Sequence, residues 1–391
     1  EGITPDSATL VCGLKACSNA GCCAFKVQEL HGIIARKGLE RNHVLNSALV
    51  DSYAKYGMII ETQAVFDKLM FRDVVSWTSL LSGYAEHGRG DQALKCFKHM
   101  QDNGISPTDV TYVCTLKACG SIGSIIKGQE LHSEISKKGL LENFYVGSAL
   151  VDMYAKCGSL LNAKVVFDNL LSRNLVSWNA LISGYVEHGH NEEVLNFSER
   201  MHHEGISPDL VTLVCGLKAC ASLGGIEKGR EMYDNVVKKS LERDIVVGNT
   251  LIDMFSKCDC ITEAKDVFDK LPARNAVSWT ALICGYAEYG YVEEVQYMLN
   301  QMQTEGVSPS SATFVCSMKF LETPDNGQGV HCQIVKLGLE KETLVGNTVV
   351  DMYAKFGLIV EAEDVLQSLL TRDVVSWNAM MTGLIEHGYF D

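Results

Sequence analysis

Proline is scarce, with 6 in 391 residues, and tryptophan scarcer, with 4. With so few residues that lock φ and lack a backbone donor, long stretches are free to run as helix. No apolar run approaches the roughly 18 residues that a membrane-crossing helix needs, so no membrane partner is expected. Basic residues are outnumbered, 34 Lys and Arg against 48 Asp and Glu, for a net charge of -14. Non-specific hold on a polyanion comes from phosphate neutralisation, so any nucleic-acid binding here must be local and specific. A glycine-rich phosphate loop, a nucleophile elbow and a His-Glu-x-x-His pair are all missing. A zinc deaminase needs His-x-Glu together with Pro-Cys-x-x-Cys. His132-Ser133-Glu134 and His202-His203-Glu204 match the first half by letter, but no two cysteines lie three apart. The stretch is read as non-enzymatic, with no catalytic residue, no metal site and no cofactor.

What is present is repetition. All four tryptophans sit in one recurring segment: Val74-Val75-Ser76-Trp77, Leu175-Val176-Ser177-Trp178, Ala276-Val277-Ser278-Trp279 and Val374-Val375-Ser376-Trp377. Self-similarity at a period of about a hundred residues has to be settled before any other pattern. Each block subdivides further. The tryptophan segment is followed by one centred on Leu-Lys-Ala-Cys, as at Leu116 to Cys119, and then by Asp-Met-Tyr-Ala-Lys-Cys-Gly, as at Asp152 to Gly158. The unit is thus about a third of a block. In the second block residues 144–174 make a short unit of 31, 175–209 a standard unit of 35 and 210–244 a long unit of 35. Each is the size of one helix pair.

Within a unit the apolar residues recur at steps of three and four, as in Val146, Ala149, Leu150, Met153, Tyr154 and Cys157, which predicts an amphipathic helix. Gly158 suits the position just past its C-terminus. Ser159 is placed to cap a second helix running through Leu161, Val165, Val166 and Phe167. Stacked hairpins align first helices on one face and second helices on the other, which predicts a superhelix with a concave groove. The four tryptophan rings are expected between helices. In Glu322-Thr323-Pro324-Asp325-Asn326-Gly327 turn residues crowd together and three residues are missing against the other long units, predicting a shortened helix.

The alternation of 35, 35 and 31 residues, with Val-Ser-Trp-Asn-Ala-Leu-Ile, Lys-Ala-Cys and Met-Tyr-Ala-Lys-Cys-Gly in fixed order, resembles the plant pentatricopeptide repeat proteins. The likeness is to their subclass with alternating standard, long and short repeats, and it runs from Glu1 to Asp391. It implies an all-α fold, a right-handed superhelical α-solenoid of helix-turn-helix repeats. Residues 1–391 are read as one array: eleven complete repeats between 7 and 373, with partial repeats at 1–6 and 374–391. Beginning and ending inside repeats predicts a fragment of a longer chain. The family's work is sequence-specific binding of single-stranded RNA in mitochondria or chloroplasts, for cytidine-to-uridine editing or other processing. Catalysis then comes from editing-complex proteins or a deaminase supplied in trans. The alternative is a tetratricopeptide-like scaffold whose acidic groove takes a basic peptide.

In this family the fifth and last residues of a unit contact one base. The resemblance assigns that role to Ser47 with Asp73, Ser148 with Asn174, Asn249 with Asn275, and Asn347 with Asp373 in the short units. In the standard units it falls on Thr78 with Thr108, Asn179 with Asp209, Thr280 with Ser310, and Asn378 in the last, incomplete one. Long units carry Val11, Val113, Val214 and Val315 at the fifth place and offer a base only apolar contact. By the family's rule Thr or Ser at the fifth place favours purine and Asn pyrimidine, last-place Asp favours G or U, and last-place Asn favours A or C. The implied target is G-R-n-A-U-n-Y-R-n-U. Asn, Ser and Thr near a helix start also cap helices, which is the plain alternative for any one copy. Lys55, Lys156, Lys257 and Lys355, at place thirteen of the short units, match family positions that meet phosphate, yet each lies four residues after an aspartate with which it can pair. Glu86, Glu187, Glu288 and Glu386 hold that place in the standard units, and Lys15, Lys117, Lys218 and Lys319 at place nine of the long units offset them.

The 15 cysteines track the repeat: Cys12, Cys114, Cys215 and Cys316, then Cys17, Cys119 and Cys220, then Cys157 and Cys258. Phe320, Tyr56 and Phe356 stand where the second and third sets would continue. A place that accepts an aromatic is a packing place, since free cysteine behaves as a small buried hydrophobe. The cysteines are therefore expected reduced and without metal.

Overall fold

The computed structural model describes residues 5–20, 24–319, 321 and 323–389, apart from the side chains of Asn19 and Ala20. Gly21-Cys22-Cys23, where the first long unit gains a residue, and the places of Phe320 and Glu322 lie outside them. The chain is all-α and built of helix pairs, with no strand among the described residues. It divides into two compact units, Glu1–Glu193 with Phe197–Pro208, and Val194–Asn196 with Asp209–Asp391.

Every repeat start read from the sequence is a helix start. In the first unit the first helices are Ser7–Ala20, His43–Lys55, Val74–Glu86, Asp109–Ser121, Phe144–Lys156 and Leu175–Glu187; in the second they are Leu210–Leu223, Ile245–Lys257, Ala276–Glu288, Ser311–Met318, Thr343–Lys355 and Val374–Glu386. Within each unit each first helix packs on the next, while its own second helix packs behind it. The boundaries are chemical. The residue before most first helices is extended and its side chain accepts a backbone N–H one turn in, as with Asn42, Asp73, Asn143, Asp244 and Asp373; Glu342, before Thr343–Lys355, is extended but makes no such bond. Such a cap contributes about 0.5–2 kcal/mol.

At the other end Gly158, with φ +73°, turns the chain out of the helix, a backbone region that costs glycine nothing. Ser159 occupies the next N-cap place without capping: its Oγ accepts from Asn162 Nδ2 at 2.9 Å and from no backbone N–H. The second helix Leu160–Asp168 buries Leu160, Ala163, Val166 and Phe167, whereas Leu161 and Val165 face solvent. The expected phase was therefore one residue off. Helix Ser311–Met318 is indeed short, 8 residues against 13 in Asp109–Ser121, and Pro324 opens the helix that follows.

The core repeats with the sequence. Trp77, Trp178 and Trp279 are buried, each edge-on to a phenylalanine of the preceding second helix: Phe66 at 4.7 Å, Phe167 at 4.6 Å and Phe268 at 4.7 Å. Trp377 differs. It is 50% exposed. First helices also approach too closely for a side chain at place ten of the standard units, where a Cβ on Gly83 would lie 2.9 Å from Ala54 Cβ.

The thirteen described cysteines are free thiols. Cys17, Cys114, Cys119, Cys215 and Cys220 are buried as a packing role requires, while Cys12, in the first helix of the chain, is exposed. Exchange with tyrosine has a sharper cause than size: Tyr56 Oη, Cys157 Sγ and Cys258 Sγ donate to the carbonyls of Cys17, Cys119 and Cys220 at 2.7, 3.7 and 3.9 Å. Three of the four copies thus place a donor against the preceding long helix, and Phe356 fills the place by packing alone.

Candidate nucleic-acid interface

The last residue of each short and standard unit is the N-cap of the next first helix, so part of its chemistry is already spent. Oδ1 of Asp73 accepts from Ser76 N at 2.9 Å, Asn174 from Ser177 N at 2.9 Å, Asp209 from Thr212 N at 3.0 Å, Asn275 from Ser278 N at 3.0 Å and Asp373 from Ser376 N at 2.9 Å. Capping thus accounts for these places in part. What faces a ligand depends on the residue type: a capping Asp has a second carboxylate oxygen, an acceptor, which in Asp73 lies 3.7 Å from His43 Nε2, while a capping Asn has its amide group, a donor. An N–H on a base edge suits the first, and a ring nitrogen acceptor suits the second. Thr108 and Ser310 have no such remainder, because each hydroxyl is locked in a capping box with the hydroxyl of Thr111 or Thr313, both at 3.0 Å.

The fifth places sit one turn inside the same helices. Thr78 and Thr280 hydroxyls join the capping boxes just described, at 2.9 Å from Thr111 Oγ1 and 2.7 Å from Thr313 Oγ1. The pairs Thr78 with Thr108 and Thr280 with Ser310 are therefore each linked through a third hydroxyl. In two of the short units the pair touches directly: Asn249 Nδ2 donates to Asn275 Oδ1 at 3.4 Å and Asn347 Nδ2 to Asp373 Oδ1 at 3.1 Å. Ser47 Oγ, Asn249 Oδ1 and Asn347 Oδ1 are buried with no partner among the described residues. Such an orphaned polar atom costs about 1–3 kcal/mol unless a further partner reaches it. Ser148 instead turns back on Phe144 O at 2.8 Å. Asn179 is half-buried on Leu175–Glu187, and Asn378 is exposed on Val374–Glu386.

In the second unit these atoms line a cavity of about 560 Å³ formed by Leu344, Asn347, Asp373, Val375 and Asn378, with Lys319 at its edge. Hydrogen bonds from Ser376, its backbone N–H first, hold the Asp373 carboxyl below the ordinary range, so the group presented there at neutral pH is a carboxylate. The apolar walls were missed in the sequence. Leu344 is 62% and Val375 60% exposed, and the second place of the other units is likewise an exposed apolar residue, from Val44 and Val75 to Val246 and Val277. The available signal was an apolar residue at each second place, out of phase with the buried stripe. Exposed apolar faces beside hydrogen-bonding edges suit a flat aromatic ligand.

Each short-unit lysine ends its helix and pairs with the aspartate one turn before: Lys55 with Asp51 at 2.9 Å, Lys156 with Asp152 at 2.8 Å, Lys257 with Asp253 at 2.9 Å and Lys355 with Asp351 at 2.7 Å. About half of each lysine side chain stays accessible. The standard units end their first helices on exposed glutamates, Glu86, Glu187, Glu288 and Glu386, against the helix dipole. No group of three or more His, Cys, Asp or Glu able to hold a metal ion occurs among the described residues, and no described helix is long and apolar enough to cross a membrane.

Comparison with known proteins gives the same repeat. The PPR repeat family matches residues 72–121, 173–222 and 274–321, and the PPR repeat matches 249–275 and 347–374. Among curated relatives from Arabidopsis thaliana, a chloroplastic pentatricopeptide repeat-containing protein is 34% identical over 97% of this chain and 46% of its own length. A second chloroplastic one is 32% identical over 97% of this chain and 62% of its own length. A mitochondrial one is 34% identical over 93% and 36%. The chain thus spans about half the length of the curated relatives it matches. Its fold is similar to the crystal structure of the maize pentatricopeptide repeat protein PPR10, at 17% identity and a TM-score of 0.53 over 100% of this chain and 68% of that one.

Proposed function

We propose, from the premise that this chain is a PPR-repeat protein resembling plant members of that family, that it binds single-stranded RNA in a sequence-specific way through the fifth and last residues of its short and standard repeats. The observation that carries the reading is the cavity at Asn347 and Asp373. It pairs an orphaned buried acceptor and a spare carboxylate oxygen with two exposed apolar walls. A base stacks against Leu344 or Val375 while its edge meets the polar floor. An N–H facing Asp373 Oδ2 favours uracil or guanine, and the asparagine at the fifth place is the family's pyrimidine signal. Together they give U.

Along the rest of the chain the family's rule alone gives G for Ser47 with Asp73, A for Ser148 with Asn174, U for Asn179 with Asp209 and a pyrimidine for Asn249 with Asn275. Thr78 with Thr108 and Thr280 with Ser310 give purines with little discrimination, since their hydroxyls are engaged. The target is G-R-n-A-U-n-Y-R-n-U, read 5′ to 3′ along one array of eleven complete repeats of the alternating subclass. Half-exposed Lys55, Lys156, Lys257 and Lys355 meet phosphates by exchanging their aspartate partners. Relatives named chloroplastic and mitochondrial support an organellar transcript. Within a longer protein the array selects a site for cytidine-to-uridine editing or other processing, the chemistry coming from another domain or a partner in trans. The test is fluorescence anisotropy with a labelled RNA carrying this target and a scrambled RNA of equal composition. Binding of the first alone supports the reading. Equal or absent binding removes it and leaves a peptide-binding scaffold.

A further inference from the structure

In three of the short units the first place lies beside the last. His43 Nε2 stands 3.7 Å from Asp73 Oδ2. Phe144 shares a cavity of about 340 Å³ with Asn174, and Thr343 lines the same cavity as Asp373. In two of these units the first residue also rests on the one two before the last: the His43 ring is 6.0 Å from that of Phe71, and Thr343 Oγ1 is 2.9 Å from Thr371 Oγ1. Second places are apolar or aromatic throughout, as Val44, Tyr145, Val246 and Leu344, whereas first places are His43, Phe144, Ile245 and Thr343. The chemistry set beside the last place therefore differs from copy to copy.

His43 is the titratable member of that set. Its Nε2 is buried without a hydrogen-bond partner among the described residues, and 3.7 Å is a distance for an ion pair rather than a hydrogen bond. Asp73 Oδ1 accepts from Ser76 N at 2.9 Å, so Oδ2 is both the atom left for a base and the atom His43 faces. Helix His43–Lys55 packs against the helices before and after it, and the charged groups at their ends toward His43 are engaged elsewhere. Asp6 holds Thr9, Arg36 reaches Gly32 O, Lys37 reaches Pro5 O, Asp67 takes the Gln63 amide and Arg72 lies over the Phe66 ring. Glu40, Arg41 and Lys68 are exposed. A proton taken up at His43 thus has Asp73 as its counter-charge.

We propose, resting on the RNA reading of the repeats, that the first residue of a short unit is a third specificity position and that His43 makes the base choice of repeat 43–73 depend on pH. It acts through Asp73, as a positioning residue. While the imidazole is neutral, Asp73 Oδ2 is free to accept N1–H of guanine. Once the ring is protonated, its N–H closes on Oδ2, and the ion pair occupies the acceptor that guanine needs. Adenine, whose N1 carries no hydrogen, loses nothing by this. The preference for G over A is therefore full while His43 is uncharged and declines as pH falls through the range of about 5 to 8 in which histidine changes charge. Repeat 343–373 ends in the same residue but has a threonine at its first place, and its preference for U over C does not follow that decline.

The test is fluorescence anisotropy of the full chain with two RNAs differing only in G or A opposite repeat 43–73. It runs from about pH 8 to about pH 5.5, across the histidine range, with a thermal melt at each pH to mark where the chain is folded. A preference of about 5- to 150-fold at the upper end should fall severalfold toward the lower, while U over C opposite repeat 343–373 holds. His43→Phe, which copies Phe144, should keep the upper value, and any slope left in it is the titration of the bases themselves. His43→Lys, charged across the whole range, should hold the ratio low throughout. A preference present at the upper end that stays flat on acidification of folded protein, or falls equally in His43→Phe, overturns this proposal alone. Absence of any preference at every pH overturns it together with the RNA reading of the repeat.

Discussion

Asp373→Asn separates recognition from folding at the cavity described above. Asp373 Oδ1 accepts from Ser376 N at 2.9 Å and from Asn347 Nδ2 at 3.1 Å, and an asparagine oxygen can take both bonds, so the helix keeps its cap. Asn and Asp are near-equal N-caps, and the stability change is expected within about 0.5 kcal/mol. The atom left over changes from acceptor to donor. Uracil presents N3–H to that atom, whereas cytosine presents a bare N3. The preference for U over C opposite repeat 343–373 should therefore reverse, each directed base contact being worth about 1–3 kcal/mol, or about 5- to 150-fold in affinity. Removing one negative charge strengthens binding of both RNAs by electrostatics, so the ratio of affinities is the quantity to read. Fluorescence anisotropy with two RNAs differing only at that base measures it, with a thermal melt as control. An unchanged ratio on a normally folded variant refutes the reasoning, and a marked loss of melting temperature refutes the claim that the cap survives.

Trp178→Ala, at a ring that is 0% exposed and edge-on to Phe167, should cost about 3–5 kcal/mol in urea unfolding, while Trp377→Ala, half exposed, should cost less than about 1 kcal/mol. Lys156→Ala breaks an ion pair worth about 0.2–0.5 kcal/mol and should leave stability nearly unchanged; if the lysine meets phosphate, the slope of log affinity against log salt falls by about 0.7. His31, His132 and His331 each place Nδ1 2.9 Å from a tyrosine hydroxyl, and burial lowers their pKa from the ordinary 6.5. The unfolded chain then takes up protons first, so the stability these groups allow is full above about pH 6.5 and declines as pH falls through the lowered folded values. Urea midpoints should drop on acidification below that point, and less so in His132→Phe.

First-helix starts were legible because all but that of Thr343–Lys355, which follows Glu342, are written as a chemical event, a capping Asn, Asp, Ser or Thr followed by an apolar stripe, and the event recurs at known spacing. Second helices were less so. They lack a side-chain cap, as Ser159 shows, and the phase of Leu160–Asp168 had to be set by packing against the first helices, which a single stripe of Leu and Val does not specify. The site divided similarly. Fifth and last places could be counted along the sequence, but the buried, unpartnered Oδ1 of Asn249 and Asn347 and the spare Oδ2 of Asp373 emerge only when two consecutive helices are brought together. The apolar second places could have been noticed, since Val44, Val75, Val246 and Val277 fall outside the buried phase. Trp377 looked equivalent to Trp178, yet it is half exposed where Trp178 is buried.

Selection of bound RNA from a random pool at moderate salt tests the central claim most directly. The account predicts enrichment of G-R-n-A-U-n-Y-R-n-U, with the U opposite Asn347 and Asp373 fixed most sharply and the purines opposite Thr108 and Ser310 least. Enrichment without that pattern, or recovery no greater than from a control lacking protein, would contradict it.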